Sequence, residues 1–174
     1  MINLEEFIRD VPDFPKKGIV FKDITPLLAD IRILREAVNQ LCKPFCGQGV
    51  EIVTGIESRG FIFGSLAADK LGAGFVPFRK PGKLPAETIS QAYDLEYGTD
   101  AIEIHADAIK AGQKVLMVDD LLATGGTMAA ACKLIERLGG EIVGAAFVVE
   151  LCFLHGRRKL SGHHVHTLIQ VQGE

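Results

Sequence analysis

Two spacings of apolar residues divide the chain. Between Asp30 and about Lys43, the apolar residues Ile31, Leu34, Val38 and Leu41 keep helical spacing, and Pro44 and Gly47 end the pattern. The same period runs through Met128, Ala131, Cys132, Ile135 and Leu138 until Gly139-Gly140 stop it. A further helix is expected from about Phe61 to Leu71. Between these lie short apolar runs: Glu51–Ile56, Gly74–Arg79, the run beginning at Val115, Ile142–Val149 and Val165–Val171. Continuous apolar runs bounded by turn residues suit strands buried on both faces, as in a parallel sheet. Ile142–Val149 is nearly all apolar and is expected at the centre, with Val165–Val171 closing an edge. Strands alternating with helices predict an α/β fold, a doubly wound, mostly parallel sheet flanked by helices.

Four segments interrupt this pattern. Asn3 to Asp10 reads as a short amphipathic helix ended by Pro12. From Pro12 to Pro26, prolines and glycine forbid a long regular element, yet Phe14, Ile19, Val20 and Phe21 are too apolar for a solvated loop. This stretch is expected to lie over the core as a hood. Lys80 to Gly98 has too many breakers for a core element, and a surface excursion of that length is usually a lid or a binding loop. Arg79, Lys80 and Lys83 gather positive charge at its base, where a diphosphate could be clamped. Ala101–His105 alternates like an exposed strand.

Composition narrows the partners. The chain has 174 residues, and a single domain spanning 1–174 is expected, with approximately 1–28 as the hood. A net charge of -3 argues against a bulk nucleic-acid or anionic-membrane binder. The acidic start lacks the apolar core of a secretory signal, and no apolar run approaches the ~18 residues needed to span a bilayer. A cytoplasmic protein is expected, with no nucleic-acid or membrane partner. Cys42, Cys46, Cys132 and Cys152 read as thiols in a reducing compartment. His163, His164 and His166 read as solvated strand histidines rather than metal ligands, and the charged turn Gly156–Leu160 as solvated.

The chemistry concentrates where the run from Val115 ends. Asp119 and Asp120 stand at its carboxyl end, where open α/β sheets place their ligand crevices. Thr124-Gly125-Gly126-Thr127 then opens a helix. Two glycines let successive backbone N–H groups converge on one anion, and the helix start adds partial positive charge. A second strand end delivers Glu57-Ser58-Arg59-Gly60, in which a guanidinium can pair two oxygens of a diphosphate at once. Neither GxxxxGK[ST] nor GxGxxG stands near these loops, so a P-loop and a dinucleotide fingerprint are both excluded.

The thirteen residues Val115–Thr127 resemble the phosphoribosyl pyrophosphate (PRPP) signature of the type I phosphoribosyltransferases, and the Pro12–Pro26 segment is similar to the N-terminal segment of the adenine-specific members. The resemblance runs nearly the whole length and is weakest after Leu154. It implies adenine and PRPP as substrates, AMP and pyrophosphate as products, and a role in purine salvage. Ala123, Thr124, Gly125, Gly126 and Thr127 would hold the ribose 5-phosphate, and Asp119 and Asp120 the ribose hydroxyls. Arg59 would contact the pyrophosphate, assisted by Arg79, Lys80 and Lys83. Phe21 would pack on the purine while backbone groups of Val20 and Lys22 read its edge, and Leu151 would cover the other face. In the lid, Glu96 would manage a purine proton, with Tyr97 beside it. A homodimer is implied, with Arg79 reaching the partner subunit's site. Mg²⁺ is implied as a cofactor carried by PRPP, with no side-chain ligand set. Two rivals remain at this point. One is a sister enzyme for 6-oxopurines, disfavoured because Phe147-Val148-Val149-Glu150 lacks a lysine; the other is a PRPP-sensing regulator without catalysis.

Overall fold

The computed structural model describes residues 2–94 and 98–173. In chain order the elements are β1 (Arg9–Pro12), β2 (Val20–Asp23), α1 (Thr25–Ala29), α2 (Ile31–Cys42), β3 (Ile52–Ile56), α3 (Gly60–Leu71) and β4 (Gly74–Phe78). They continue with β5 (Thr88–Asp94), β6 (Thr99–His105), β7 (Lys114–Leu122), α4 (Gly126–Arg137), β8 (Glu141–Leu151) and β9 (Val165–Val171). Five strands form one sheet in the order β4-β3-β7-β8-β9, and every pairing in it is parallel.

The apolar runs are continuous because both faces are covered. Along β7, Leu116 and Val118 enter the core built with α2 and α3, while Val115 and Met117 enter the core built with α4. β8 repeats the alternation, with Ala146 and Val148 on the first side and Ala145 and Phe147 on the second. Successive strand side chains point to opposite faces, so a strand covered on both sides needs apolar residues at every position. Asp30 caps α2, its side chain accepting the Arg32 N–H. Ile31, at the first turn, lies outside the stripe and is exposed. β9 closes the edge beside β8 as expected.

Two elements differ from the sequence reading. Only Leu4–Phe7 of the expected N-terminal helix forms, as a single 3₁₀ turn capped by Asn3, whose side chain accepts from the Glu5 N–H. Arg9–Pro12 instead extends and pairs antiparallel with Val20–Asp23, making the hood a two-stranded sheet. A helix that short gains too few hydrogen bonds to offset its nucleation, and strand pairing satisfies the same groups. The long excursion after Arg79 is largely an antiparallel hairpin, with β5 and β6 in register from Thr88↔His105 to Asp94↔Thr99. Its inner face packs on α4: Ile102 and Ile104 are fully buried, and Ile89 and Tyr93 lie against the same core. Ala101–His105 is therefore half-buried rather than exposed.

The strand order fixes where a ligand fits. From β3 the chain crosses to β4 on one side, and from β7 it crosses to β8 on the other. The connections diverge between β3 and β7, leaving a crevice at the carboxyl ends of those two strands.

Candidate active site

Both chemistry-bearing loops end in that crevice. A cavity of about 320 Å³ is lined by Ile56, Glu57, Ser58, Arg59, Lys80, Tyr93, Asp119, Asp120, Leu121 and Thr127. The β3–α3 loop thus faces the β7 carboxylates directly, although about sixty residues separate them in sequence. Arg59 Nε stands 2.8 Å from Asp120 Oδ2. Its guanidinium also lies 5.1 Å from the centre of the Phe21 ring, a cation–π contact tying the hood to the acidic pair. Phe21 in turn meets Phe14 edge to face at 5.2 Å.

Asp119 and Asp120 share a low-polarity setting. Asp120 is buried, and Asp119 accepts the Asp120 N–H at 2.9 Å. Burial raises both carboxyls above the usual carboxylate range. The charge of Asp120 lifts Asp119 further, while Arg59 opposes the rise at both. The start of α3 presses against them, for a Cβ on Gly60 would come within 2.7 Å of Asp119 Oδ1.

The Ala123–Thr127 loop lines a smaller hollow of about 80 Å³ beside the main cavity, with Asp119, Met128 and Phe147 among its walls. Gly125, at φ +75°, occupies the left-handed region, and α4 starts directly after it. Thr127 borders both hollows.

The basic residues are already paired. Arg79 Nε donates to Glu57 at 2.9 Å, and the Lys80 N–H donates to the same carboxylate at 2.9 Å. The Lys80 ammonium bonds Asp100 and donates to the Tyr93 hydroxyl at 2.8 Å. Lys83 is exposed. Glu57, Tyr93 and Asp100 were not anticipated from sequence. The period-2 pattern of Thr88–Asp94 could have flagged Tyr93, which stands directly across from Asp100 in the hairpin.

Below the hood lies an apolar cavity of about 230 Å³, lined by Ile19, Val20, Lys22, Leu151, Phe153, Leu154 and Gly173. Three of the four residues expected to meet a base line it. The fourth, Phe21, contacts Arg59 instead. Lys22 forms an ion pair with Asp10 at 2.6 Å. Glu96 and Tyr97 lie outside the described residues. Arg157, expected in solvent, pairs with the buried Glu150 (Nη2–Oε2 2.6 Å), because a carboxylate that far inside requires a cation. His166 Nε2 lies 3.1 Å from the Gln40 carbonyl oxygen, His164 packs beside Phe45, and no group of three metal-ligating side chains occurs among the described residues.

These ionisations set an acid dependence. Arg79, Lys80 and Arg157 hold Glu57, Asp100 and Glu150 below their ordinary values, chiefly through side-chain hydrogen bonds. Carboxyls depressed by folding stabilise the protein above their unfolded values, ~4. That contribution disappears as pH falls through the folded values. Asp119 and Asp120 act oppositely: their stabilisation is present below ~4 and lost as pH rises through their raised folded values. Thermal unfolding of the ligand-free protein is expected to peak on the acid side of neutrality. A midpoint flat from pH 7 to pH 3 would contradict these assignments.

Comparison with known proteins gives a consistent result. Residues 21–170 match the model of the phosphoribosyl transferase domain. The chain is 57% identical over 169 residues to the adenine phosphoribosyltransferase of Methylococcus capsulatus, covering 97% of this chain and 99% of the relative. The crystal structure of the adenine phosphoribosyltransferase of Thermoanaerobacter pseudethanolicus superposes with a TM-score of 0.94 at 53% identity, covering 97% of this chain and 98% of that one. That of the Saccharomyces cerevisiae enzyme, a complex with adenine and an imino-altritol bisphosphate, gives 0.90 at 42% identity, covering 95% and 96%. Among the described residues, no helix is long and apolar enough to cross a membrane.

Proposed function

The chain belongs to the adenine phosphoribosyltransferase family, and from that premise we propose the activity and the role of each residue. It is a pentosyltransferase that converts adenine and PRPP to AMP and pyrophosphate in purine salvage. The observation that carries this reading is the convergence of the Glu57–Arg59 loop, the Asp119–Asp120 pair and the Thr124–Thr127 loop in one crevice beneath the hood. We read residues 1–174 as one domain, with approximately 1–28 as the hood.

In this reading the 5-phosphate sits in the Ala123–Thr127 hollow, where backbone N–H groups and the α4 start favour an anion. Asp119 and Asp120 accept from the ribose hydroxyls and face the positive charge that grows at C1 as its bond to pyrophosphate weakens. N9 of adenine attacks C1 from the hood side. Val20 and Lys22 are two residues apart in β2, so their backbone groups point to the same strand edge, and among the described residues β2 pairs with β1 alone. A carbonyl and an N–H on one strand edge match the 6-amino group and ring nitrogen of adenine. Leu151 covers the base, and Phe21, held by Arg59, packs on it. Glu96 manages the purine proton, with Tyr97 next to it in the sequence.

The residues of the main cavity fit a diphosphate that carries its own cation. Three carboxylates and two cations line it, and Arg59 and Lys80 are both already in ion pairs. Bound on the diphosphate, Mg²⁺ supplies the charge neutralisation that makes pyrophosphate a good leaving group. Arg59, Arg79 and Lys80 then orient its oxygens, with Lys83 at the rim.

We assign a homodimer, supported by family membership and by Ile62 and Leu66, exposed one turn apart on α3. Arg79 is the residue we place across the interface. Sedimentation should show a dimer; a fully active monomer would remove this assignment. Family membership also supports a cytoplasmic location.

The test of the activity supplies PRPP and Mg²⁺ with adenine, hypoxanthine, guanine or xanthine in separate reactions. Pyrophosphate and nucleotide are expected with adenine alone. Turnover with a 6-oxopurine instead would overturn the base assignment, and binding of PRPP without turnover would overturn the reaction.

A further inference from the structure

We propose that Glu150 and Arg157 form a positioning pair that fixes the wall of the hood cavity and the back of the phosphate loop as one piece. The proposal rests on the transferase reading above. After Leu151 the chain makes two short 3₁₀ turns, Cys152–Leu154 and Gly156–Leu160, before entering β9. The first turn carries Phe153 and Leu154 into the lining of the hood cavity beside Leu151. The second begins against the phosphate loop. A Cβ on Gly156 would come 2.1 Å from the Ala123 carbonyl oxygen and 2.9 Å from the Gly125 nitrogen. One strap therefore touches both substrate regions.

The strap is closed at its neck. Arg157 donates from Nε (3.0 Å) and Nη2 (2.6 Å) to the two oxygens of Glu150, and from Nη1 to the Val165 carbonyl (2.9 Å). Thr167 Oγ1 donates to Glu150 at 3.1 Å, and Gln170 Nε2 at 3.4 Å. Glu150 is 4% exposed. A planar guanidinium engaging both carboxylate oxygens fixes direction as well as distance. The Arg157 side chain is 42% exposed, and an ion pair open to solvent on one side contributes little net stability, so stability alone does not account for it. What the pair adds is a single geometry for the residues between its members. Opening the neck releases Leu151 and Gly156 together. Affinity for the base and for PRPP then falls in parallel, while chemistry in the assembled complex is preserved.

The test compares wild type with Arg157→Gln, Arg157→Lys, Glu150→Gln and a core control, Val38→Ala. Arg157→Gln is expected to raise the KM for adenine and the KM for PRPP by about tenfold each, with kcat within about threefold of wild type. Arg157→Lys, which keeps the charge but loses the fork, falls between. Val38→Ala lowers the melting temperature and leaves both KM values near wild type. Hydrogen exchange, which needs no turnover, should rise in Arg157→Gln over both 123–127 and 151–156. KM values and exchange unchanged in Arg157→Gln, a change confined to one substrate or one segment, or the same KM shifts in Val38→Ala would each overturn the proposal. Should Arg157→Gln fail to fold, Glu150→Gln, which keeps side-chain volume, carries the same paired expectation at about threefold. Absence of AMP formation by wild type would count against the transferase reading, while exchange in the variants still decides the strap.

Discussion

Gly125→Ala is expected to raise the KM for PRPP by about a hundredfold, corresponding to ~2.7 kcal/mol of lost binding. Two independent penalties act at this position. Gly125 has φ +75°, and an L residue in the left-handed region costs about 1–2 kcal/mol. The added methyl would also stand 2.4 Å from the Gly156 carbonyl oxygen and 3.0 Å from its carbon. Both obstacles are backbone, so no side chain can rotate away. The loop must shift, and its N–H groups then no longer suit the hollow in which we place the 5-phosphate. Steady-state kinetics with varied PRPP measure the effect, with circular dichroism to show that the sheet is intact. A wild-type KM for PRPP in the folded variant would mean that the phosphate binds elsewhere.

The second large effect is expected at Arg59. Arg59→Gln should lower kcat/KM by about a hundredfold at neutral pH and move the acid limb of its pH profile upward. Arg59 is the cation that opposes the effect of burial on Asp119 and Asp120. Without it, burial at both carboxyls and the charge of Asp120 on Asp119 are opposed only by local hydrogen bonds, and both carboxyls titrate at higher pH. With the ribose hydroxyls placed on this pair as proposed above, a neutral carboxyl would present a donor where an acceptor is needed, so the competent ionised pair would form only in more alkaline solution. Activity should return in part as pH is raised. Loss of the cation over the Phe21 ring loosens the hood as well, so the KM for adenine is expected to rise. If activity falls with the acid limb unmoved, Arg59 acts only on the diphosphate and does not tune the acidic pair.

The legibility of the site followed the range of the interactions that build it. The Val115–Thr127 stretch was readable because its chemistry is local: a buried strand, two carboxylates, then a glycine turn into a helix within one segment. The α2 stripe and the all-apolar β8 were readable for the same reason, since periodicity reports which faces are covered. Arg157 is exposed, as the charged turn implied, but its pairing with Glu150 was not readable because the two lie across a loop and four hydrogen bonds converge there from β9 and the turn. The N-terminal strand was missed because Arg9–Pro12 takes its conformation from Val20–Asp23, not from its own pattern. Tyr93 and Asp100 entered the site only through the hairpin register that places them opposite each other.

By itself, then, the sequence determined the α/β class, the order along the chain of the five strands of the parallel sheet, and the acidic pair and glycine turn at the end of β7. These depend on spacing, side-chain type and backbone freedom within a few residues. Only the tertiary structure decided which cation faces which carboxylate: Arg59 with Asp120, Arg79 with Glu57, Lys80 with Asp100 and Arg157 with Glu150. It also set the raised protonation of Asp119 and Asp120 and the contact of Gly156 with the phosphate loop. Charge interaction and desolvation depend on distance and burial, and sheet order and helix packing set both between segments far apart in the chain.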